Sequence, residues 1–283
     1  MIEIVIHARR RQYRRELPES WNDVPAARRL AWLTWWITDP STAAERITRQ
    51  WVRLPGRVWS AMAPADRAAL VAALEWTEPK PDCQAPPISS FRHRGRTYLF
   101  PRPKFENGTC IDFALSDDYY SQFASTGDPV WLMRLCATLC RERKRNRKEA
   151  LTSGDERVSL RQKEEVEDRV RRMKGLSPVI LVAALMYFAG VKQYVSKVYH
   201  VLFDKPPEDM PVDDTQPDQD SGGPKFGWWS VFMGLANHDV QAYEALLQRR
   251  FNLICVFLVD QHDRNEKLRA HYERERRKNS STL

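Results

Sequence analysis

The feature that most constrains this chain is an apolar run at residues 179–189, which carries no charged side chain. Ser177 and Pro178 precede it, a pair typical of a helix start, because serine caps the helix and proline needs no partner for its missing N–H. Beyond Gly190, apolar residues recur at helical spacing on one side only. Since a bilayer span needs about 18 or more apolar residues, the pattern predicts a core helix over residues 177–203.

The other segments are typical of amphipathic helices that cover this core, so the predicted fold is mainly α, a multi-helix assembly around one buried apolar helix. Two proline-rich stretches interrupt the helical patterns and indicate segment boundaries. The predicted organisation is a strand and helical unit at 1–78, a linker at 79–87, a hairpin with the helical core at 88–203, a disordered acidic loop at 204–224, and helices with a basic tail at 225–283.

Strand-like alternation appears at residues 2–6 and again at 90–93 and 96–100. The latter two predict a hairpin about Arg94-Gly95 that places Phe91 opposite Tyr98. Because two strands alone are marginally stable in water, we expect residues 2–6 to complete a small three-stranded sheet.

Cap residues, prolines and apolar spacing predict the helices. We expect one helix to begin near Pro25 and another at Asp39-Pro40. The remaining predicted helices are 55–62, one from Pro64, 116–124, 128–148, 160–174, 227–236, 239–248 and one from Arg250, whose Phe251, Ile254, Phe257 and Leu258 are expected to be buried.

The chain has a net charge of +8, and the charges are segregated along it. Five arginines lie in residues 9–15 and six basic residues in 141–148, whereas 204–220 is acidic. The two basic runs, with Arg143, Lys144 and Arg145 as the chief candidates, suit nucleic-acid phosphates. Only Tyr13 is an interleaved aromatic, which favours a solvated face or an acidic protein partner.

Candidate chemistry is sparse. Cys136 and Cys140 lie one helical turn apart, which fits a metal site or two small core residues, and the core interpretation is favoured because no second pair accompanies them. Asp117-Asp118 is interpreted as helix N-terminal stabilisation, since neighbouring carboxylates on a helix diverge. The sequence contains no phosphate-loop, dinucleotide or nucleophile-elbow motif, so we expect no enzyme, no cofactor and no metal.

Two adjacent tryptophan pairs are predicted to pack between helices while leaving at least one ring of each pair for a partner, since exposed aromatics mark interfaces. These candidate partner-binding residues are Trp35, Trp36, Trp228 and Trp229. The five scattered cysteines indicate reduced thiols. The first residues do not resemble a signal peptide, so we expect a cytoplasmic protein without membrane association.

The order of segments resembles uncharacterised morphogenesis proteins of tailed phages and prophages, especially those of Bacteroidetes-type hosts. The similarity covers most of the chain and rests on order and pattern. Its features are Leu17-Pro-Glu-Ser-Trp21, residues 70–76, the hairpin 91–100, Met186-Tyr-Phe-Ala-Gly190, Gly227-Trp-Trp and Phe251-Asn-Leu before a basic end.

The resemblance implies a tail-assembly chaperone or small morphogenesis protein without enzymatic activity. Its expected partner is a tail component such as a tape-measure protein, or sister copies of the chain. The alternatives are a nucleic-acid-binding accessory protein that uses residues 9–15 and 141–148, and an enzyme of unknown type.

Overall fold

The computed structural model describes residues 2–8, 11–19, 23–74, 77, 86–203 and 227–280. These residues form a mainly helical fold, as predicted, with two small antiparallel sheets. The helices are α1 Ala26–Thr38, α2 Pro40–Val52, α3 Gly56–Ala61, α4 Pro64–Ala72, α5 Cys110–Thr126, α6 Pro129–Leu139, α7 Arg147–Ser153, α8 Glu164–Arg172, α9 Pro178–Val198, α10 Gly227–Leu235, α11 Val240–Leu247 and α12 Phe251–Ser280. The strands are β1 Ile2–Ala8, β2 Arg11–Leu17, β3 Ser90–His93, β4 Arg96–Leu99 and β5 Arg141–Glu142. The predicted acidic loop at 204–224, and most of the linker at 79–87, lie outside the described residues.

Helix α9 is the predicted core helix, and its bounds fit the sequence pattern. It begins at Pro178 and packs against α6, α1 and α5. The Tyr187 hydroxyl donates to the Arg102 carbonyl at 2.5 Å and accepts from the Phe105 N–H at 3.2 Å, so the one polar group of the apolar run is satisfied. By length and composition alone the helix could cross a bilayer. In the protein, 56% of its most apolar 18-residue stretch is buried.

The hairpin β3–β4 has the predicted register, with Phe91 opposite Tyr98 and their rings stacked 5.3 Å apart. Its two-residue turn requires positive φ at both positions, and Arg94 (46°) and Gly95 (76°) supply it. The third strand is not residues 2–6, as we expected, but β5.

Strand β1 pairs instead with β2, which contains most of the basic run at 9–15, a stretch not predicted to be a strand. The arginines of β2 obscured the alternation of inward and outward residues that indicates a strand. Tyr13, Arg15 and Leu17 point inward, whereas the residues between them are exposed. Arg15 remains compatible with this inner face because its Nε donates to the Val52 carbonyl at 2.7 Å.

The helix predicted over 128–148 ends at Leu139, so the basic run is not its C-terminal turn. Residues 141–142 pair with β4, and a new helix, α7, starts where the Asn146 side chain accepts from the Lys148 and Glu149 N–H groups. Pairing with the hairpin thus overrides the helical propensity of this stretch, and it turns Arg141 into the protein.

The helix predicted at 116–124 begins earlier, at Cys110, because Thr109 and Asp112 form a reciprocal capping box. Asp117 and Asp118 therefore lie beyond the first turn, and their interpretation as N-terminal stabilising charges is wrong. Helices α10 and α11 match their predictions closely.

Helix α12 starts in the core and leaves it. Phe251, Ile254 and Cys255 are buried. Phe257, which we expected to be buried, is 48% exposed because it lies on the opposite face. Beyond residue 259 almost every described side chain is exposed, so the distal part extends away from the body.

Two hydrophobic clusters organise the described residues. The main core surrounds α9 and draws on α5, α6, α8, α10 and α12. A smaller N-terminal cluster lies between the β1–β2 hairpin and α1, α2 and α4. Helix α1 joins them, since Trp32 is buried in the small cluster and Leu33 in the main core.

Candidate functional site

A buried ion cluster lies where α5, β5 and the segment after α7 meet. It consists of Asp112, Arg141, Asp155 and Arg157. The capping box of α5 fixes Asp112, the pairing of β5 fixes Arg141, and the αL turn at Gly154 precedes the other two residues. Each charged group is thus held by backbone structure on its own segment.

The contacts within this ion cluster are short and interlocking. Arg141 Nη2 lies 2.9 Å from Asp112 Oδ2 and 3.1 Å from Asp155 Oδ2. Arg157 Nη2 lies 2.9 Å from Asp155 Oδ2, and its Nη1 donates to the Leu139 carbonyl at 2.9 Å. Asn107 adds a hydrogen bond from Nδ2 to Asp155 Oδ1 at 2.9 Å. The cluster therefore ties four separate segments together.

Burial and charge act in opposite directions on these groups. Burial would raise the pKa of Asp155, but the charges of Arg157 and Arg141 outweigh it and lower that pKa. Burial and the neighbouring Arg157 lower the pKa of Arg141 to about 10. At neutral pH Asp155 is therefore ionised, and Arg141 and Arg157 are protonated.

This arrangement suits a structural role better than proton transfer. A general acid or base works best with a pKa near neutral pH, whereas the pKa of Asp155 is lowered and that of Arg141 is about 10. The side chains of Asp112, Arg141 and Arg157 are at most 2% exposed, so a substrate cannot reach them. The cluster pins the start of α5 to the hairpin sheet and to the turn after α7.

An N-terminal groove of about 890 Å³ lies between the β1–β2 hairpin and helices α3–α4. Most of its lining residues are apolar, and His7, Arg57 and Asp66 contribute polar surface. The apolar lining is Ile4, Val5, Ile6, Leu17, Val58, Ala61, Met62, Ala63, Ala69, Leu70 and Ala73, with the Tyr13 ring.

Four consecutive residues of β1, 4–7, line this N-terminal groove. Successive side chains of a strand point to opposite faces, so a surface that includes all four passes around the edge of the strand. Within the described residues β1 pairs only with β2, which leaves its other edge unpaired. The small alanines of α3 and α4 leave room opposite that edge.

The four candidate tryptophans occupy two different parts of the protein. Trp35 and Trp36 are half-buried against the N-terminal cluster, and the Arg46 guanidinium lies 5.4 Å from the Trp35 ring. Trp228 packs edge-on against Phe113 at 5.2 Å, and Trp229 Nε1 donates to Asp118 Oδ2 at 2.7 Å. The structure thus gives no single surface that contains both pairs.

The basic candidates Arg143, Lys144 and Arg145 lie together in the turn between β5 and α7, with acidic neighbours. Arg143 lies 3.8 Å from Glu156, and Lys144 Nζ lies 3.4 Å from Glu149. Residues 9 and 10 of the other basic run lie outside the described residues. These ion pairs reduce the positive charge that the turn presents to an anionic ligand.

The thiols of Cys136 and Cys140 are fully buried in the main core. Burial, together with the neighbouring Cys136, raises the pKa of Cys140 well above its ordinary value, so this thiol stays protonated. Among the described residues, no group of three or more histidine, cysteine or acidic side chains has the geometry to hold a metal ion.

Sequence reasoning missed both the ion cluster and the N-terminal groove. The Thr109-x-x-Asp112 spacing is a capping-box signal, and it would have placed the helix start correctly. No local pattern showed that Arg141 and Arg157 meet there. Predicting the groove required recognising β2 as a strand, and the arginines of β2 obscured its strand pattern.

Comparison of the chain with protein-family models, curated proteins and solved structures returned no match.

Proposed function

We propose that this protein is a non-enzymatic protein-binding factor of phage-type tail assembly. In this role it holds an extended apolar segment of a tail component, such as a tape-measure protein, in the N-terminal groove. The observation that carries the proposal is the groove itself, whose lining residues are mostly apolar and lie beside an edge of β1 that pairs with no other described strand.

The chemistry of the N-terminal groove suits a peptide chain. An extended segment that adds to a strand edge forms main-chain hydrogen bonds, and its alternate side chains enter the apolar floor. Strand β1 has seven residues, which corresponds to about 23 Å of extended chain. His7, Arg57 and Asp66, also in the lining, offer polar contacts to such a chain.

The test is to measure the affinity of overlapping peptides that tile the tail proteins encoded beside this gene, using fluorescence anisotropy. Ala69→Trp fills the N-terminal groove, whereas Ala72→Trp places the same ring on the same helix outside the groove lining. We expect apolar peptides to bind, Ala69→Trp to weaken binding about tenfold or more, and Ala72→Trp to change it less than about twofold.

Equal effects of the two substitutions, or the absence of any binding peptide, would contradict the proposal. The nucleic-acid alternative makes a different prediction in the same assay. DNA or RNA would bind with an affinity that falls steeply with salt, and charge reversal at Arg143, Lys144 and Arg145 would flatten that dependence.

A further inference from the structure

The distal part of α12 is a long helix, most of which does not pack against the rest of the described residues. The helix has 30 residues, which corresponds to about 45 Å. Its described side chains between residues 260 and 274 are exposed, apart from a half-buried His262. Since most helical stability in proteins comes from packing of a face, such a helix gains from an additional partner.

The exposed surface of α12 has two adjoining parts. Near the body, Leu253, Val256 and Phe257 are 60%, 56% and 48% exposed and share one face by their spacing. Further along, residues 264–278 contain seven basic side chains against three acidic ones. Arg264 pairs with Asp260 at 2.8 Å, whereas no described carboxylate lies within ion-pair distance of Lys267 or Arg269.

The chain itself contains a segment of complementary chemistry. Residues 204–220 contain seven acidic side chains and a single lysine, with Met210-Pro211-Val212 near the middle. The apolar centre of this segment and its flanking carboxylates are complementary to α12, whose exposed apolar face continues into a basic part. Charge complementarity of this kind selects partners and fixes their register.

The positions of the segment's ends make the contact sterically accessible. The short 3-10 helix His200–Leu202, just before the segment, contacts α12, and the Phe203 ring lies 6.1 Å from that of Trp228. Residues 204–226 therefore leave and return beside the root of α12. At about 3.3–3.6 Å per residue, these 23 residues extend roughly 40 Å out and back, enough to reach the basic part of the helix.

We propose that the acidic segment 204–220 docks on the exposed face of α12. Its carboxylates pair with Lys267 and Arg274, which share the face of Val256 and Phe257 by their helical spacing. Its apolar centre covers Val256 and Phe257. The occupant of this face is thus a segment of the same chain, and the contact shields the basic helix from other anions.

Hydrogen exchange of the α12 amides tests the contact in the full-length protein. The first variant replaces Asp209, Asp213 and Asp214 with asparagine, which removes three charges from the segment. The matched control replaces Glu3, Glu106 and Glu244 with glutamine, which removes three exposed charges elsewhere on the protein. We expect exchange over residues 264–274 to accelerate about fivefold in the first variant at low salt, because weak ion pairs with the segment are lost, and to stay unchanged in the control.

At about 1 M salt the difference should disappear, because the Debye length falls to about 3 Å. A nitroxide attached at Gln216→Cys, in a Cys83→Ser background, reports proximity directly. We expect it to broaden the amide signals of residues 264–274 and to spare those of α4.

Three results would overturn the proposal. They are equal exchange in wild type and the segment variant, broadening that leaves α12 unaffected, and protection of α12 that grows with protein concentration. The last of these would assign the face to a second copy of the chain.

Discussion

The N-terminal unit, which consists of the β1–β2 hairpin and helices α1–α4, and the main core are stabilised in different ways. The main core contains stacked and edge-on aromatic rings, with Phe113 and Phe251 centred 3.7 Å apart, and a buried ion cluster beside them. The N-terminal unit has a far smaller buried set, and an open groove runs along its hairpin. Trp35, Trp36 and Trp51 of this unit bury only part of their surface, although Trp32 is fully buried.

The difference suggests that the two regions have different roles, one in binding and one as a scaffold. A densely packed core resists rearrangement, because its side chains interlock. A lightly packed unit with an unpaired strand edge adapts to a ligand at lower cost, and binding elements are drawn from such low-stability regions. The comparison therefore supports placing partner recognition in the N-terminal unit and the scaffold role in the main core.

The largest expected effect tests whether the ion cluster stabilises the main core. Arg157→Met leaves the buried carboxylates of Asp112 and Asp155 with one guanidinium group, and breaking such a buried pair costs about 3–5 kcal/mol. The matched control is Arg143→Met, whose exposed pair with Glu156 at 3.8 Å contributes less than about 1 kcal/mol. Urea unfolding measures both, and equal losses would contradict a structural role for the cluster.

A smaller effect is expected from Gly108→Ala. A Cβ at this position would lie 2.0 Å from the Phe105 ring, which is fully buried between α5 and α12. Overpacking of this kind costs about 1–3 kcal/mol. Gly234→Ala is the control, since its Cβ meets nothing within 4 Å on helix α10 and should stabilise by about 0.5–1 kcal/mol. Thermal unfolding that ranks the two substitutions in the opposite order would show that the ring moves freely.

Within the N-terminal unit, Trp32→Phe sharpens the comparison. It removes the hydrogen bond from Trp32 Nε1 to Gln50 Oε1 at 2.6 Å, which contributes about 1 kcal/mol. We expect faster hydrogen exchange in α1 and α2 while the amides of α5 and α9 keep their protection. Equal acceleration in all four helices would mean that the two regions unfold as one unit.

The dependence on pH should come mainly from the ion cluster. The folded-state pKa of Asp155 lies below its unfolded value of about 3.9. Its contribution is therefore present above that value and lost as the pH falls through the folded pKa. Arg157→Met removes the chief cause of the lowered pKa, so its unfolding midpoint should fall less steeply with acid. A slope equal to that of Arg143→Met would contradict this assignment.

Much of the secondary structure was predictable from local patterns. The hairpin register followed from Arg94-Gly95, and α9 followed from its apolar run after Ser177-Pro178. The errors at β2 and β5 share a cause, since arginines there were taken as markers of solvent. Arg15 and Arg141 instead reach acceptors inside the protein. Their aliphatic stems tolerate burial when the guanidinium group finds a partner.

The sequence by itself determined the elements whose signals are local, namely the capped and amphipathic helices, the tight turn and the long apolar rod. Only the tertiary structure decided which carboxylate meets which arginine, which strand completes the hairpin sheet, and where a groove remains open. The physical reason is that these features join residues far apart in the chain, such as Asp112 and Arg157. Their energies exist only once packing has excluded water from between them.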